Sequence, residues 1–327
     1  MEFSRFDRVY LRIGRYPRRG DVLLNPLTRI HLSWKLMRPH QWIKNLFVFS
    51  APLFAKELDH PEIFSTTLIT FCCFCLISSS VYVLNDIVDL QRDRAHPTKR
   101  TRPLAAGRLS VGYAISLLAG LTVVSLAVCA FTVSPAVAGV LALYAATNVA
   151  YSFALKYVVI IDVMMIAAGF ILRIMAGAIA AETVASFWLL LCTLNVALFL
   201  GFAKRRAEIM NLGDDAQEHR EVLAHYSVGF LDQMISIVTS ATLVCYILYT
   251  VDDRTAEMFG HRGLVITVPF VMYGIFRYLY LTYHHQAGGS PTRTILMDPL
   301  FLINNVCWAA ACVTIIYWGD SLSTWLP

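Results

Sequence analysis

Charge is what this chain has least of. Only 15% of its 327 residues are Asp, Glu, Lys or Arg, where an ordinary soluble domain carries about 25%. A soluble enzyme of this size is excluded, and a mean hydropathy of +0.59 agrees. Metal-ligand spacing between cysteine and histidine is also missing. The eight cysteines, at 72, 73, 75, 129, 192, 245, 307 and 312, all fall in apolar stretches and read as small hydrophobes packed between helices. His284 and His285 are adjacent, so they do not share a helical face and make a poor metal pair. The first thirty residues lack an apolar core segment, so no cleavable signal peptide is expected.

Apolar stretches are abundant instead. Segments close to the roughly 20 residues that cross a bilayer recur near 40–56, 62–84, 110–131, 135–154, 158–180, 186–203, 232–251, 263–283 and 299–318. The expected fold class is all-α: a polytopic membrane protein whose residues 35–327 form a bundle of nine transmembrane helices, the first of them short. With the N-terminus in the cytoplasm, 21 of the 27 Lys and Arg residues fall on the inner side, and only Lys56, Arg254 and Arg262 fall outside. That asymmetry is what positive-inside insertion produces, and it predicts a multi-pass protein of the cytoplasmic (inner) membrane. The net charge of +5 follows from topology, with no nucleic-acid partner required. Residues 1–34 read as a separate basic segment on the cytoplasmic face. Phe3, Phe6, Tyr10 and Ile13 repeat at helical spacing with Arg5, Arg8, Arg12 and Arg15 between them, which fits an amphipathic helix on an anionic leaflet or a disordered basic tail.

Asn85, Asp86, Asp89 and Asp93 stand where the second apolar span runs into the basic stretch NDIVDLQRDRAHPTKRTRPLAAG. Acids spaced by three and then four residues share one side of a helix and repel one another unless a cation sits among them. Mg²⁺ takes one or two carboxylates and completes its shell with water and phosphate oxygens, so Asp86, Asp89 and Asp93 are candidate metal ligands for a diphosphate substrate. Pro97 and Pro103 force a loop, and its Lys99, Arg100 and Arg102 are candidate phosphate ligands. An alternative is a charged helix end held by its own ion pairs, such as Asp89 with Arg92.

A second group lies in YSFALKYVVIID, with Tyr151, Ser152, Lys156 and Asp162. A carboxylate inside an apolar stretch needs a cavity, a metal or a cation. Asp162 is therefore expected either to complete the metal site or to lock the bundle with a polar partner. Arg173, eleven residues on, lies along the same face. Lys156 is expected to meet phosphate and Tyr151 to orient substrate. In RPHQWIKN, Arg38, Gln41, Lys44 and Asn45 open the first span as either a wall of the phosphate site or an interfacial anchor. Lys204, Arg205, Arg206 and Glu208 end the sixth span, where anchoring and substrate binding both call for cations. Arg220, Tyr226 and Asp232 are candidate lid residues, and Asp298 before Pro299 reads as a helix N-cap.

These motifs resemble the UbiA superfamily of intramembrane prenyltransferases, from Arg38 to the last span. The strongest element is Asn85-Asp86-x-x-Asp89-x-x-x-Asp93 followed by RPLAAG. The resemblance implies a nine-helix bundle with a lateral opening for a lipid tail and Mg²⁺ held by two acidic motifs. RPHQWIKN, HPTKRTRP and KRRAE are similar to the decaprenyl-phosphate phosphoribosyltransferase branch. That similarity implies transfer of 5-phosphoribose from phosphoribosyl pyrophosphate to a polyprenyl phosphate, with Asp86, Asp89 and Asp162 central to the reaction. One departure stands out: Asp162 has Val158 and Ile166 four residues to either side, where prenyl-transferring members carry a second carboxylate. Several anions need several cation clusters, and Lys44, Lys99 to Arg102, Lys156, Arg173 and Lys204 to Arg206 supply them. The competing reading on this scaffold is prenyl transfer from a prenyl diphosphate to an aromatic or quinone-precursor acceptor. A transporter is disfavoured, because the acids cluster at one mouth with no counterpart midway. Oligomeric state, self-association included, is left open.

Overall fold

The computed structural model describes residues 25–96, 98–212, 221–284 and 298–319. Most of the basic segment 1–34, Pro97, Arg220, His285 and nearly all of the loop at 284–298 lie outside the described residues. The helices in chain order are α1 (Pro26–Met37), α2 (Ser50–Phe54), α3 (Pro61–Val88), α4 (Leu90–Ala95), α5 (Val111–Thr132) and α6 (Pro135–Phe153). They continue with α7 (Ile161–Ala180), α8 (Phe187–Leu212), α9 (Val228–Val251), α10 (Asp253–Phe259), α11 (Val268–His284) and α12 (Pro299–Trp318). Among the described residues, eight helical segments are long and apolar enough to cross a bilayer, and they coincide with the second to ninth expected spans. The expected first span is wound differently. Pro39–Phe49 is an eleven-residue 3₁₀ helix that passes directly into the five-residue α2.

Two compact units divide the chain: Met1–Leu46 with Leu68–Leu155, and Phe47–Thr67 with Lys156–Pro327. In the first, the Asn25 side chain caps α1 by accepting from Leu27 N, with Pro26 at the position where a missing N–H costs nothing. Leu32 and Leu36 of α1 pack with Val83 of α3, Leu90 of α4, and Leu104 and Leu109 of the loop before α5. Polar side chains join the helices where lipid offers no alternative partner. Ser125 Oγ donates to Cys73 O at 2.9 Å, and Trp42 Nε1 donates to Ser79 Oγ at 3.0 Å. Asn45, fully buried, donates to Ser78 Oγ at 3.2 Å. Asn45 thus fastens the 3₁₀ helix to α3 rather than facing an open wall.

In the second unit, α7, α8, α9, α11 and α12 contribute Val163, Phe199, Phe202, Leu231, Ile235, Tyr278 and Phe301 to one core. Small residues set the closest approaches. A Cβ on Gly177 would stand 1.8 Å from Val48 O, and one on Gly201 would stand 2.4 Å from Val163 Cγ1. Outside the cores, Val123, Phe131, Ile237, Phe276, Ile303 and Val306 are each more than half exposed. Such faces suit hydrocarbon rather than water.

Candidate active site

The first unit holds the Asn85 to Asp93 motif at the end of its longest helix. Hydrogen bonds from Asp89 N to Asn85 O and from Asp93 N to Asp89 O, both 2.9 Å, carry helical pairing across the junction between α3 and α4. Asp86 and Asp93 therefore stand two turns apart on one side. Both are 3% exposed. Between them lies Arg102, whose Nη1 is 2.6 Å from Asp93 Oδ2 and 3.2 Å from Asp86 Oδ1. Arg38 donates a further charge-assisted bond to Asp86. The positive charge expected among the acids is thus supplied by two arginines, 48 residues before and 9 residues after their partners. Asp89 is half-buried at the junction itself.

Local chemistry explains how the arginines arrive there. Arg102 precedes Pro103, which disfavours helical backbone for the preceding residue, and its φ −60°, ψ 145° are extended. Leu104 and Leu109, each 2% exposed, bury the following turn in the core. Gly107 adopts φ +69° there, a left-handed conformation that glycine takes without steric cost. Arg38, before Pro39, is left-handed at φ 55°, ψ 60°. For a residue with a Cβ this costs about 1–3 kcal/mol, and such strain clusters at functional sites. Its guanidinium lies over the Tyr82 ring, 5.2 Å from the centroid. Lys99 is half-buried and Arg100 exposed on the intervening 3₁₀ turn, and Lys44 is half-buried. Asn85 meets the second motif: Ser152 Oγ, fully buried, donates to Asn85 Oδ1 at 2.6 Å. Tyr151 beside it is half-buried.

In the second unit Asp162 is completely buried near the start of α7. Its partner is not Arg173. Eleven residues of helix place those two on one face but about 16 Å apart along the axis, and Arg173 Nη1 instead donates to Gly169 O at 2.7 Å. Arg205 Nε donates to Asp162 Oδ2 at 2.7 Å, and the Tyr226 hydroxyl donates to Oδ1 at 2.7 Å. The same hydroxyl accepts from Ile160 N at 2.6 Å. Ile160 holds φ 69°, ψ −47°, a marked outlier for a β-branched residue. Burial, and then the bond to Asp162, push the Tyr226 phenol well above its usual value, so it stays protonated and donates. Arg205 Nη1 pairs with Glu208 at 2.7 Å, and Lys204 Nζ approaches Glu208 at 3.8 Å. Arg206 turns to Asp232 at 2.6 Å and lies over the Tyr283 ring. Lys156 is 6% exposed. Of the candidate lid residues, Tyr226 hydrogen-bonds Asp162 and Asp232 pairs with Arg206.

The donor sets differ between the two units. In the first, two carboxylate oxygens converge on one cationic nitrogen, so they define a cation position built from hard oxygen donors, which suits Mg²⁺. Among the described residues no cluster of three or more His, Cys, Asp or Glu side chains forms a metal cage. An ion at Asp86 and Asp93 would therefore draw its remaining ligands from water and phosphate, as Mg²⁺ commonly does.

Helices long and apolar enough to cross a bilayer thus carry buried acid and arginine clusters at their ends. The UbiA prenyltransferase family matches residues 45–306, and the chain belongs to that family as a multi-pass membrane transferase. It is similar to the decaprenyl-phosphate phosphoribosyltransferase of Mycolicibacterium smegmatis, 34% identical over 300 residues that cover 87% of this chain and 92% of the relative. The protein of the same name from Corynebacterium glutamicum is 32% identical over 287 residues, covering 86% of each. Among solved structures, a UbiA homolog from Archaeoglobus fulgidus bound to GPP and Mg²⁺ shares the fold. Its TM-score is 0.66 over 87% of this chain and 99% of that one, at 16% identity.

Proposed function

We propose that this chain transfers 5-phosphoribose from phosphoribosyl pyrophosphate to a polyprenyl phosphate, of the decaprenyl class named for its relatives, and releases diphosphate. The observation that carries the reading is the alignment to a decaprenyl-phosphate phosphoribosyltransferase over 92% of that relative's length. The chemistry of the chain's own residues fits it. Asp86 and Asp93, with Asp89 beside them, would hold Mg²⁺. When bound, that ion neutralises charge on the departing diphosphate. Arg38 and Arg102, with Lys99, Arg100 and Lys44 nearby in the sequence, offer forked and point-like donors to phosphate oxygens. Ser152 fixes the Asn85 amide, and Tyr151, its neighbour in sequence, would orient substrate through its hydroxyl. In the second unit Lys156, Arg173 and Lys204 are further cations for phosphate, with Arg205 and Glu208 in the network around Asp162. The acceptor phosphate is already anionic, so its attack on the anomeric carbon needs no strong base. Positioning and electrostatic stabilisation carry the catalysis.

The same reading places the chain in the inner membrane with its N-terminus in the cytoplasm, where sugar phosphates are made. It counts Pro39–Phe54 as a ninth crossing. A 3₁₀ helix rises about 2.0 Å per residue, so its eleven residues with the five of α2 reach about 30 Å, the thickness of the hydrocarbon core.

Purified protein in liposomes with Mg²⁺, labelled phosphoribosyl pyrophosphate and a polyprenyl phosphate tests the proposal. A parallel mixture holds labelled prenyl diphosphate and an aromatic acid. Label entering the lipid in the first mixture alone is the expected result. Product in the second alone would assign prenyl transfer instead.

A further inference from the structure

We propose that Asp162 is the internal counter-ion of Arg205 rather than a metal ligand, so that the guanidinium does in the second unit what a divalent cation is proposed to do in the first. The inference deepens the proposed function, on which its metal count rests. A carboxylate with no exposed surface in the apolar body of a membrane protein must be compensated by positive charge. Here the compensation is built in. Asp162 Oδ2 accepts from Arg205 Nε at 2.7 Å, and Oδ1 accepts from the Tyr226 hydroxyl at 2.7 Å. Both partners are themselves buried, at 1% and 6% exposure.

This arrangement differs from the one around Asp86. There two carboxylates share a nitrogen of Arg102, whose side chain is 31% exposed, against 1% for Arg205. Around Asp162 each carboxylate oxygen is already used by the protein, and Glu208, the other acid in the network, pairs with a different nitrogen of the same guanidinium at 2.7 Å. Val158 and Ile166 occupy the sites one turn to either side where a second acid would stand. A divalent ion at Asp162 would have to displace a buried guanidinium from the carboxylate it now holds, leaving its charge to Glu208. Tyr226 tightens the arrangement further. By accepting from Ile160 N at 2.6 Å, it ties the segment before α9 to the strained start of α7, directly beside the carboxylate.

The role assigned to Asp162 is therefore positioning: it holds the Arg205 fork and the Tyr226 hydroxyl in place. The chain then binds one divalent cation, not two.

The test pairs metal counting with a double-mutant cycle on the full-length protein in detergent. Mn²⁺ binding is followed by electron paramagnetic resonance for wild type, Asp86→Asn and Asp162→Asn. Thermal unfolding is followed for Asp162→Asn, Arg205→Gln and the double variant. Asp162→Asn should bind as much Mn²⁺ as wild type, each single variant should lower the midpoint, and the double variant should lose clearly less than the two singles combined. Loss of Mn²⁺ in Asp162→Asn, or additive losses in the cycle, would overturn the inference. If the singles do not fold, recovery of folded protein by the double variant supports the pair, and its failure to recover counts against it. Wild type that binds no Mn²⁺, or that retains it in Asp86→Asn, would count against the metal role of the first unit, and the cycle would still decide the pairing of Asp162 with Arg205.

Discussion

Asp93 lies 2.6 Å from Nη1 of Arg102, and that nitrogen also serves Asp86 at 3.2 Å. One guanidinium thereby keeps two buried acids together at the end of a membrane helix. The shared nitrogen marks a position lined by two carboxylate oxygens, which in the proposed function Mg²⁺ would occupy.

Removing Arg102 should cost both stability and activity. In Arg102→Ala the two acids face each other with less compensation. The expected loss is about 2 kcal/mol, below the ~3–5 kcal/mol of a fully buried pair because Arg102 is partly exposed. Transfer should fall on the order of 10²-fold, the scale of losing one well-placed electrostatic donor. Arg102→Lys keeps the charge without the fork and should recover only part of both. Thermal unfolding and a lipid-transfer assay read the two effects.

Asp86→Ala and Asp89→Ala should each abolish transfer while the bundle stays helical by circular dichroism. Asp89 is half-buried, so its removal should scarcely move the melting midpoint. Full activity in both variants would take these acids out of the reaction.

Two glycines should respond differently to alanine. Gly107 has φ +69° and nothing within 4 Å of an added Cβ, so Gly107→Ala should cost only the backbone penalty of about 1–2 kcal/mol. At Gly177 the new Cβ would sit 1.8 Å from Val48 O. Backbone must then move, and a loss at or beyond the upper end of the ~1–3 kcal/mol range for overpacking is expected. Comparable midpoints for the two variants would contradict this ordering.

Ser152→Ala removes the donor to Asn85 and leaves a half-buried amide oxygen short of one partner. The expected cost is about 1 kcal/mol, with a slower transfer rate because Asn85 is no longer fixed. Unchanged kinetics would separate Asn85 from the substrate site.

Much of this was legible in the sequence, and the exceptions share a cause. Hydropathy located eight crossings, because a helix in lipid must be apolar along its whole length. Asp298 before Pro299 read correctly as an N-cap: its carboxylate accepts from Phe301 N at 2.7 Å. The first segment is wound mostly as a 3₁₀ helix, which composition does not distinguish from α winding. The clusters were legible only as ingredients. Arg38 finds Asp86 from 48 residues away and Arg205 finds Asp162 from 43, distances at which no periodic pattern survives. Arg173 drew attention by lying on the Asp162 face, yet helical rise carries it out of reach. The buried Tyr226 and the strained Ile160 left no signal beyond a polar aromatic in a loop.

The most direct measurement follows two labels in one donor. Phosphoribosyl pyrophosphate carrying one isotope in its 5-phosphate and another in its diphosphate is supplied with Mg²⁺ and a polyprenyl phosphate to the reconstituted protein. The account predicts that the 5-phosphate label enters the lipid while the diphosphate label appears in water in equal amount, and that Asp86→Ala stops both. Diphosphate label in the lipid, or undiminished release by Asp86→Ala, would contradict it.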